Sequence, residues 1–180
     1  MNQQTVNKGK SLQISAFIAL GILSLTAGIW LSQTKHSVQE NDPATPLQDF
    51  AFEDSTGNVR NLNDWDGKPL LINFWATWCA PCREELPLFI SAQDTHSETD
   101  LQVLAIAIDD LASVQKFMSE MPFNFPSLIA QVGGMEMMAL YGNTGALPFT
   151  LAVDKNHQII AKKLGKVSKE DLDNFVDRLL

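Results

Sequence analysis

The feature that most constrains this fold is an apolar run that leads into two closely spaced cysteines. Residues 70–75 read LLINFW, and a continuous apolar run of this length is typical of a strand buried on both faces of a sheet. The segment WCAPC, from Trp78 to Cys82, follows after two residues. Apolar side chains at helical spacing then predict a helix over 80–97. The chain must therefore place a dithiol where a buried strand gives way to a helix.

The position of the two cysteines favours redox chemistry. They are the only Cys of the 180 residues, so no structural disulfide framework can be built. The unpaired N–H groups and partial positive charge of a helix start would stabilise a thiolate at Cys79 and lower its pKa. Pro81 suits the first turn, where its missing N–H costs nothing. Cys82, one turn further, could then attack a mixed disulfide formed on Cys79.

Metal and cofactor sites fit the sequence poorly. A zinc site needs four N or S ligands, and the three histidines are scattered, at His36, His96 and His157. Attachment of haem requires His directly after the second Cys, where this chain has Arg83. We therefore predict neither a metal nor another cofactor.

The N-terminal segment is predicted to be a membrane anchor. Residues 11–34 contain no charged side chain, and about 20 apolar residues reach roughly 30 Å, the thickness of a bilayer core. Lys8 and Lys10 precede the segment, which favours residues 1–10 in the cytoplasm. A linker over 35–45 and a domain over 46–180 follow. A cleaved signal peptide is the alternative, and both interpretations place the domain outside the cytoplasm.

Charge excludes one class of partner. The net charge of the chain is −8, and it is carried by the part that follows the anchor. An acidic surface repels phosphate backbones and offers no counterion release. Nucleic acid is therefore excluded as a partner.

The order of predicted elements indicates a single α/β domain, a mixed sheet with helices on both faces. Strands alternate with helices, and an antiparallel hairpin and a capped helix close the chain. The predicted strands are an N-terminal hairpin of 47–53 and 59–62, then 70–75, 101–108, 127–130, 149–153 and 159–164. The predicted helices are 80–97, 111–121, 135–141 and one that starts at Ser168 and ends at Leu180.

The segment NFWATWCAPCREELP, residues 73–87, resembles the active-site region of the thioredoxin superfamily. The resemblance is closest to the membrane-anchored branch typified by TlpA and ResA, and it covers about 46–180. It implies a thioredoxin-like sheet with an extra N-terminal β-hairpin. The superfamily also has a cis-proline that faces the disulfide, which matches Pro148 in YGNTGALPFT. The backbone of Leu147 would then pair with an incoming peptide, with Trp78 and Pro81 as further docking residues.

The resemblance also implies a proton acceptor. Cytoplasmic thioredoxins carry a buried Asp in the strand before the motif, and this chain has Asn73 there, which cannot titrate. The anchored branch shares that substitution and has a Glu that matches Glu85. Cys82 and Glu85 are i and i+3, on one helix face. We expect Glu85 to be partly desolvated, with a raised pKa, and to handle the proton; the alternative is a solvated surface residue, as expected of Glu84.

The function that the resemblance implies is reduction of selected protein disulfides at the outer, periplasmic side of the cytoplasmic membrane. Its partners would be protein disulfides or dithiols and a DsbD-like membrane electron donor, and its role could lie in cytochrome c or oxidase maturation. Two alternatives stay open. A thiol peroxidase shares the fold and the extra hairpin but lacks a vicinal Cys partner. A Cu(I)-binding module could use the two thiolates as ligands. Met135, Met137 and Met138, with Met118 and Met121 upstream, could also suggest a copper site, although Met as gap-filler is favoured.

Overall fold

The computed structural model describes residues 45–180. The predicted anchor over 11–34, the residues before it and most of the linker lie outside this range. Within the described part, no helix is long and apolar enough to cross a membrane. The strands are β1 (Thr45–Pro46), β2 (Ala51–Asp54), β3 (Val59–Asn61), β4 (Leu70–Trp75), β5 (Gln102–Ala107), β6 (Ser127–Ile129), β7 (Phe149–Val153) and β8 (Gln158–Leu164). The α-helices are α1 (Ala80–Thr95), α2 (Leu111–Glu120), α3 (Gln131–Leu140) and α4 (Lys169–Leu179).

The eight strands of residues 45–180 join one mixed sheet in the order β1-β8-β7-β4-β5-β6-β2-β3. Strands β4, β5 and β6 are parallel, whereas β7 and β8 add antiparallel strands on the other side of β4. The N-terminal hairpin, β2 and β3, extends the sheet beyond β6. The thioredoxin-like mixed sheet with an extra hairpin is therefore confirmed.

Every residue of β4 is buried, as its apolar run predicts, because helices cover both faces of the sheet. One core cluster contains Leu71 and Trp75 with the inward residues of α1, α2 and α4. The other contains Ile72 and Phe74 with residues of α3. Successive strand residues alternate between the two faces, so β4 anchors both cores.

Helix α3 differs from the prediction. It begins at Gln131 rather than Met135, so Gly133 and Gly134 lie inside the helix and not before it. A Cβ on Gly134 would lie 2.4 Å from Cδ1 of Ile108 and 2.8 Å from Cβ of Ala130. The glycine therefore serves close packing of the helix against the sheet rather than a turn.

The C-terminal helix begins as predicted. The Ser168 side chain accepts the N–H of Asp171, and the Asp171 carboxylate accepts the N–H of Ser168. This reciprocal capping box satisfies two N–H groups at the helix start.

Candidate active site

The two cysteines lie where β4 gives way to α1, as predicted. They form a disulfide with an S–S distance of 2.01 Å. Cys79 is the N-cap of α1, and its Sγ accepts the backbone N–H of Cys82 at 3.3 Å. Pro81 lies in the first turn, where no N–H is needed. The sulfur of Cys79 therefore receives the hydrogen bond that would stabilise a thiolate.

The surroundings of the two sulfurs are unequal. Cys79 is 6% exposed, Cys82 is fully buried, and the neighbouring Trp78 is 66% exposed. A protein substrate can approach Cys79 more readily than Cys82. This difference agrees with the predicted roles of Cys79 as attacking and Cys82 as resolving thiol, which stay predictions.

Glu85 lies one turn after Cys82 and has no exposed surface. Its Oε1 accepts a hydrogen bond from Nδ2 of Asn73 at 2.7 Å, and its Oε2 accepts the backbone N–H of Val167 at 2.6 Å. Burial raises the pKa of Glu85 to about 7, although these hydrogen bonds and the positive charges of Lys166 and Lys163 oppose the shift. The expected desolvation and raised pKa are both present, and its role in proton transfer stays a prediction.

The adjacent Glu84 is a solvated surface residue, which is the environment that the sequence left open as the alternative for Glu85. Its side chain is 61% exposed and forms an ion pair with Lys166. The hydrogen bond from Lys166 lowers the pKa of Glu84. The two neighbouring carboxyl groups therefore differ because one points into the core and the other into solvent.

The loop before Cys79 is tied to the neighbouring strand. Asp109 follows β5, and its Oδ2 accepts the backbone N–H of Thr77 at 3.0 Å and the Thr77 hydroxyl at 2.5 Å. Asp109 was not among the predicted site residues. It could have been found, because β4 and β5 are adjacent parallel strands whose carboxyl ends meet at the same edge of the sheet.

The Leu147–Pro148 peptide bond is cis, as the resemblance implies. The next residue, Phe149, starts β7 and pairs with Phe74 of β4. Pro148 is thus brought to the sheet edge where the cysteines lie. Leu147 precedes β7 and takes no part in its pairing with β4. Its predicted docking role stays a prediction.

The methionines of the described residues are divided between the two faces of the sheet. Met118 and Met121 are partly buried and pack against the core cluster that contains Cys79 and Cys82. Met137 and Met138 are fully buried in the core on the face of the sheet opposite to Cys79 and Cys82, and Met135 is 48% exposed. Their burial agrees with gap-filling in an apolar layer. Over residues 45–180, no group of three or more His, Cys, Asp or Glu side chains could hold a metal ion.

Comparison with known proteins gives consistent matches. The chain matches the Redoxin family over residues 39–179. It is 30% identical over 132 residues to the thiol-disulfide oxidoreductase ResA of Geobacillus kaustophilus, covering 73% of this chain and 74% of that protein. It is also 30% identical over 166 residues to the ResA of Bacillus thuringiensis subsp. konkukian, with 90% and 93% covered.

The fold has a counterpart among solved structures. A thiol:disulfide interchange protein of the thioredoxin family from Chlorobium tepidum superposes with a TM-score of 0.69 at 25% identity. The superposition covers 77% of this chain and 98% of that protein. Together with the bonded Cys79–Cys82 pair, these matches show that the protein is a thiol–disulfide oxidoreductase. The chain belongs to the Redoxin family, within the thioredoxin superfamily, and is of the ResA/TlpA-like type.

Proposed function

We propose that the enzyme reduces disulfides of partner proteins on the outer face of the cytoplasmic membrane. The buried carboxyl group of Glu85, one turn from Cys82, is the observation that carries the proposed direction of electron flow. A dithiol becomes a strong oxidant when its reduced form, with its thiolate, is strongly stabilised. Here the ionised form of Glu85, which is buried one turn after Cys82, disfavours further negative charge in the site. A less stabilised thiolate favours loss of electrons to the substrate.

The proposed reaction transfers two electrons in two exchanges. The Cys79 thiolate attacks one sulfur of the substrate disulfide, whose S–S bond breaks and releases a substrate thiolate. Cys82 then gives its proton to Glu85 and attacks Sγ of Cys79. This second exchange releases the other substrate sulfur and forms the Cys79–Cys82 disulfide. The substrate gains two electrons, and the enzyme dithiol loses them.

Substrate docking is assigned to the surface around Cys79. An extended substrate segment would pair with the backbone of Leu147, beside the cis bond of Pro148, in the manner of strand addition. Trp78, which is 66% exposed, and Pro81, which is exposed, would contact the same segment. The mixed disulfide on Cys79 would then form next to this segment.

The proposed location rests on the apolar segment over 11–34 and on the resemblance of residues 73–87 to the membrane-anchored branch. The anchor over 11–34 would hold the domain outside the cytoplasm. There a DsbD-like membrane electron donor would reduce the Cys79–Cys82 disulfide back to the dithiol. Substrates in cytochrome c or oxidase maturation would fit this place. A membrane-impermeant maleimide should label Cys79 in intact, pre-reduced cells or spheroplasts. Labelling only after lysis would contradict the location.

The direction of electron flow is tested by the reduction potential of the Cys79–Cys82 pair. The full-length chain is equilibrated in thiol–disulfide buffers, and the fraction of dithiol is read by alkylation. A potential near about −270 mV, as in thioredoxin, supports a reductant, whereas one near about −120 mV would make the enzyme an oxidant. Stoichiometric retention of copper, or rapid consumption of hydrogen peroxide by the same preparation, would instead favour one of the two alternatives.

A further inference from the structure

A row of polar side chains crosses the sheet beneath α1. Asn73 of β4 pairs with Thr150 of β7, and Thr150 pairs with Lys163 of β8. Exposure is 1% for Asn73, 0% for Thr150 and 7% for Lys163. The neighbours of Asn73 on this face of β4, Leu71 and Trp75, are buried and apolar. Buried polar groups are costly unless hydrogen-bonded, so the contacts of this row need an explanation.

The amide of Asn73 is held at one end only. Its Nδ2 donates to Oε1 of Glu85 at 2.7 Å and to Oγ1 of Thr150 at 3.2 Å. Its Oδ1 is buried and has no hydrogen-bond partner among residues 45–180. The orientation of the amide is therefore determined by Glu85 and Thr150, and no hydrogen bond at the other end opposes a half-turn.

The two orientations suit different protonation states of Glu85. A carboxylate offers only acceptors, so Nδ2 must face it. A protonated carboxyl group offers an O–H donor and requires an acceptor. A half-turn of the Asn73 amide brings Oδ1 to the place of Nδ2, where it can accept from Glu85 and from the Thr150 hydroxyl, which can either donate or accept.

We propose that the Asn73 amide turns with the proton of Glu85, with the Thr150 hydroxyl reversing its role at the same time. Nδ2 faces the carboxylate, and Oδ1 faces the protonated acid. Asn73 and Thr150 are positioning residues that act through Glu85. The inference rests on the proposed proton transfer and extends it: Glu85 meets a matching hydrogen bond before and after it takes the proton of Cys82.

Other charged side chains near Glu85 also affect its protonation. Lys163 forms an ion pair with Asp171 at 3.1 Å, and Lys166 forms one with Glu84. Both cations lower the pKa of Glu85, against the larger effect of burial. With a pKa of about 7 for Glu85, both states of the acid are populated near neutral pH.

The side-chain resonances of Asn73 test the proposal in the oxidised full-length chain. The Nδ2 signals and the Glu85 carboxyl carbon are followed by NMR from roughly pH 5 to roughly pH 9. We expect the Nδ2 signals and the Glu85 carboxyl carbon to shift with the same pH midpoint. The scalar coupling between Nδ2 and the Glu85 carboxyl carbon across the Nδ2–H···Oε1 hydrogen bond should be present at high pH and lost at low pH. A coupling that persists at both limits while Glu85 titrates would overturn the proposal.

Matched variants separate turning from a merely structural role. Glu85→Gln removes the titrating group, so the Asn73 signals should lose their pH dependence. Thr150→Ser keeps the hydroxyl and should leave the midpoint unchanged, whereas Thr150→Val should shift it. Equal midpoints in both Thr150 variants would overturn the part assigned to Thr150. Because the measurement uses no substrate, the amide can be seen to turn even if the reduction potential contradicts a reducing function.

Discussion

At the scale of single residues, the active site has a buried carboxyl group, that of Glu85, one turn after Cys82 in the same helix. Glu85 is fully buried and, within residues 45–180, accepts hydrogen bonds from Asn73 and Val167. Burial is the largest influence on its pKa. The protonation of Glu85 must therefore be linked to the stability of the folded chain.

The folded state binds the Glu85 proton more tightly than the unfolded state does, because the pKa rises from 4.5 to about 7 on folding. The contribution of this group to stability is therefore full below pH 4.5 and is lost as pH rises towards 7. A shift of this size corresponds to about 3 kcal/mol. We expect Glu85→Gln, which stays neutral, to be more stable than the natural chain at pH 8 by about 1–3 kcal/mol in urea unfolding.

Glu84→Gln is the matched control for that prediction. Its carboxyl group is mostly exposed and pairs with Lys166 at the surface, where ion pairs contribute little. We expect the pH dependence of unfolding between 4.5 and 7 to persist in Glu84→Gln and to weaken in Glu85→Gln. Equal pH profiles for the two variants would contradict the account of Glu85.

Trp78 allows docking to be separated from chemistry. Because most of its side chain is exposed, Trp78→Ala should leave the disulfide and its surroundings in place. We expect kcat/KM for a protein disulfide to fall about 10-fold, or about 1.4 kcal/mol, with little change for a small aromatic disulfide. An equal loss for both substrates would show that Trp78 serves the sulfur chemistry rather than docking.

The predictability of the site depended on distance along the chain. Cys79 is the N-cap of α1, and Cys82 and Glu85 lie within it. Their spacing along the chain was therefore enough to predict how they are arranged. The partners of Glu85 on other elements, Val167 above all, were not predicted. Val167 lies 82 residues after Glu85, whereas Asn73 lies 12 residues before it, on β4. Both contacts depend on how distant segments are arranged in the sheet, which local patterns do not specify.

At the scale of elements, the parallel ends of β4 and β5 hold the catalytic loop. Asp109 after β5 binds both the N–H and the hydroxyl of Thr77, two residues before Cys79. The buried strands and the capped C-terminal helix were predicted to within about two residues, because burial and capping leave local patterns. The predicted start of α3 was wrong, because Gly133 and Gly134 indicated a turn before the helix. In the structure both glycines lie inside the helix, and Gly134 allows close packing against Ile108.

That packing contact gives a prediction for α3. Gly134→Ala should destabilise the domain by about 1–3 kcal/mol, because its Cβ would meet side chains of Ile108 and Ala130 at under 3 Å. Gly133→Ala is the control, since the three atoms nearest to its Cβ would all belong to the Phe52 ring, the first at 3.0 Å. Phe52 is partly exposed on an outer hairpin and can move. Thermal unfolding of both variants checks this, and equal losses of stability would contradict the packing argument.

At the scale of the whole molecule, redox state and folding are linked through the same disulfide. In a reductant, the folded chain favours the disulfide over the dithiol more strongly than a strong oxidant does. We therefore expect the oxidised full-length chain to unfold at a higher Tm than the reduced chain. Each 30 mV of difference in potential corresponds to about 1.4 kcal/mol. A reduced form that is the more stable of the two would indicate an oxidant.

The order of the eight strands could not be read from the sequence. The predicted pattern specified a mixed sheet and a closing hairpin, but it did not place the N-terminal hairpin beyond β6. That position depends on pairing between β2 and β6, which lie about 75 residues apart. Long-range pairings of this kind leave no periodic signal in either strand. The membrane anchor likewise stays a prediction from the apolar segment alone.

The central claim, that Cys79 attacks and Cys82 resolves, is tested most directly by trapping. The reduced full-length variants Cys82→Ser and Cys79→Ser are mixed with a disulfide-bonded protein, and mixed disulfides are quantified by mass spectrometry. The account predicts a stable adduct on Cys79 in Cys82→Ser and little or none in Cys79→Ser, because Cys82 is fully buried. Equal adducts in both variants, or an adduct only on Cys82, would contradict it.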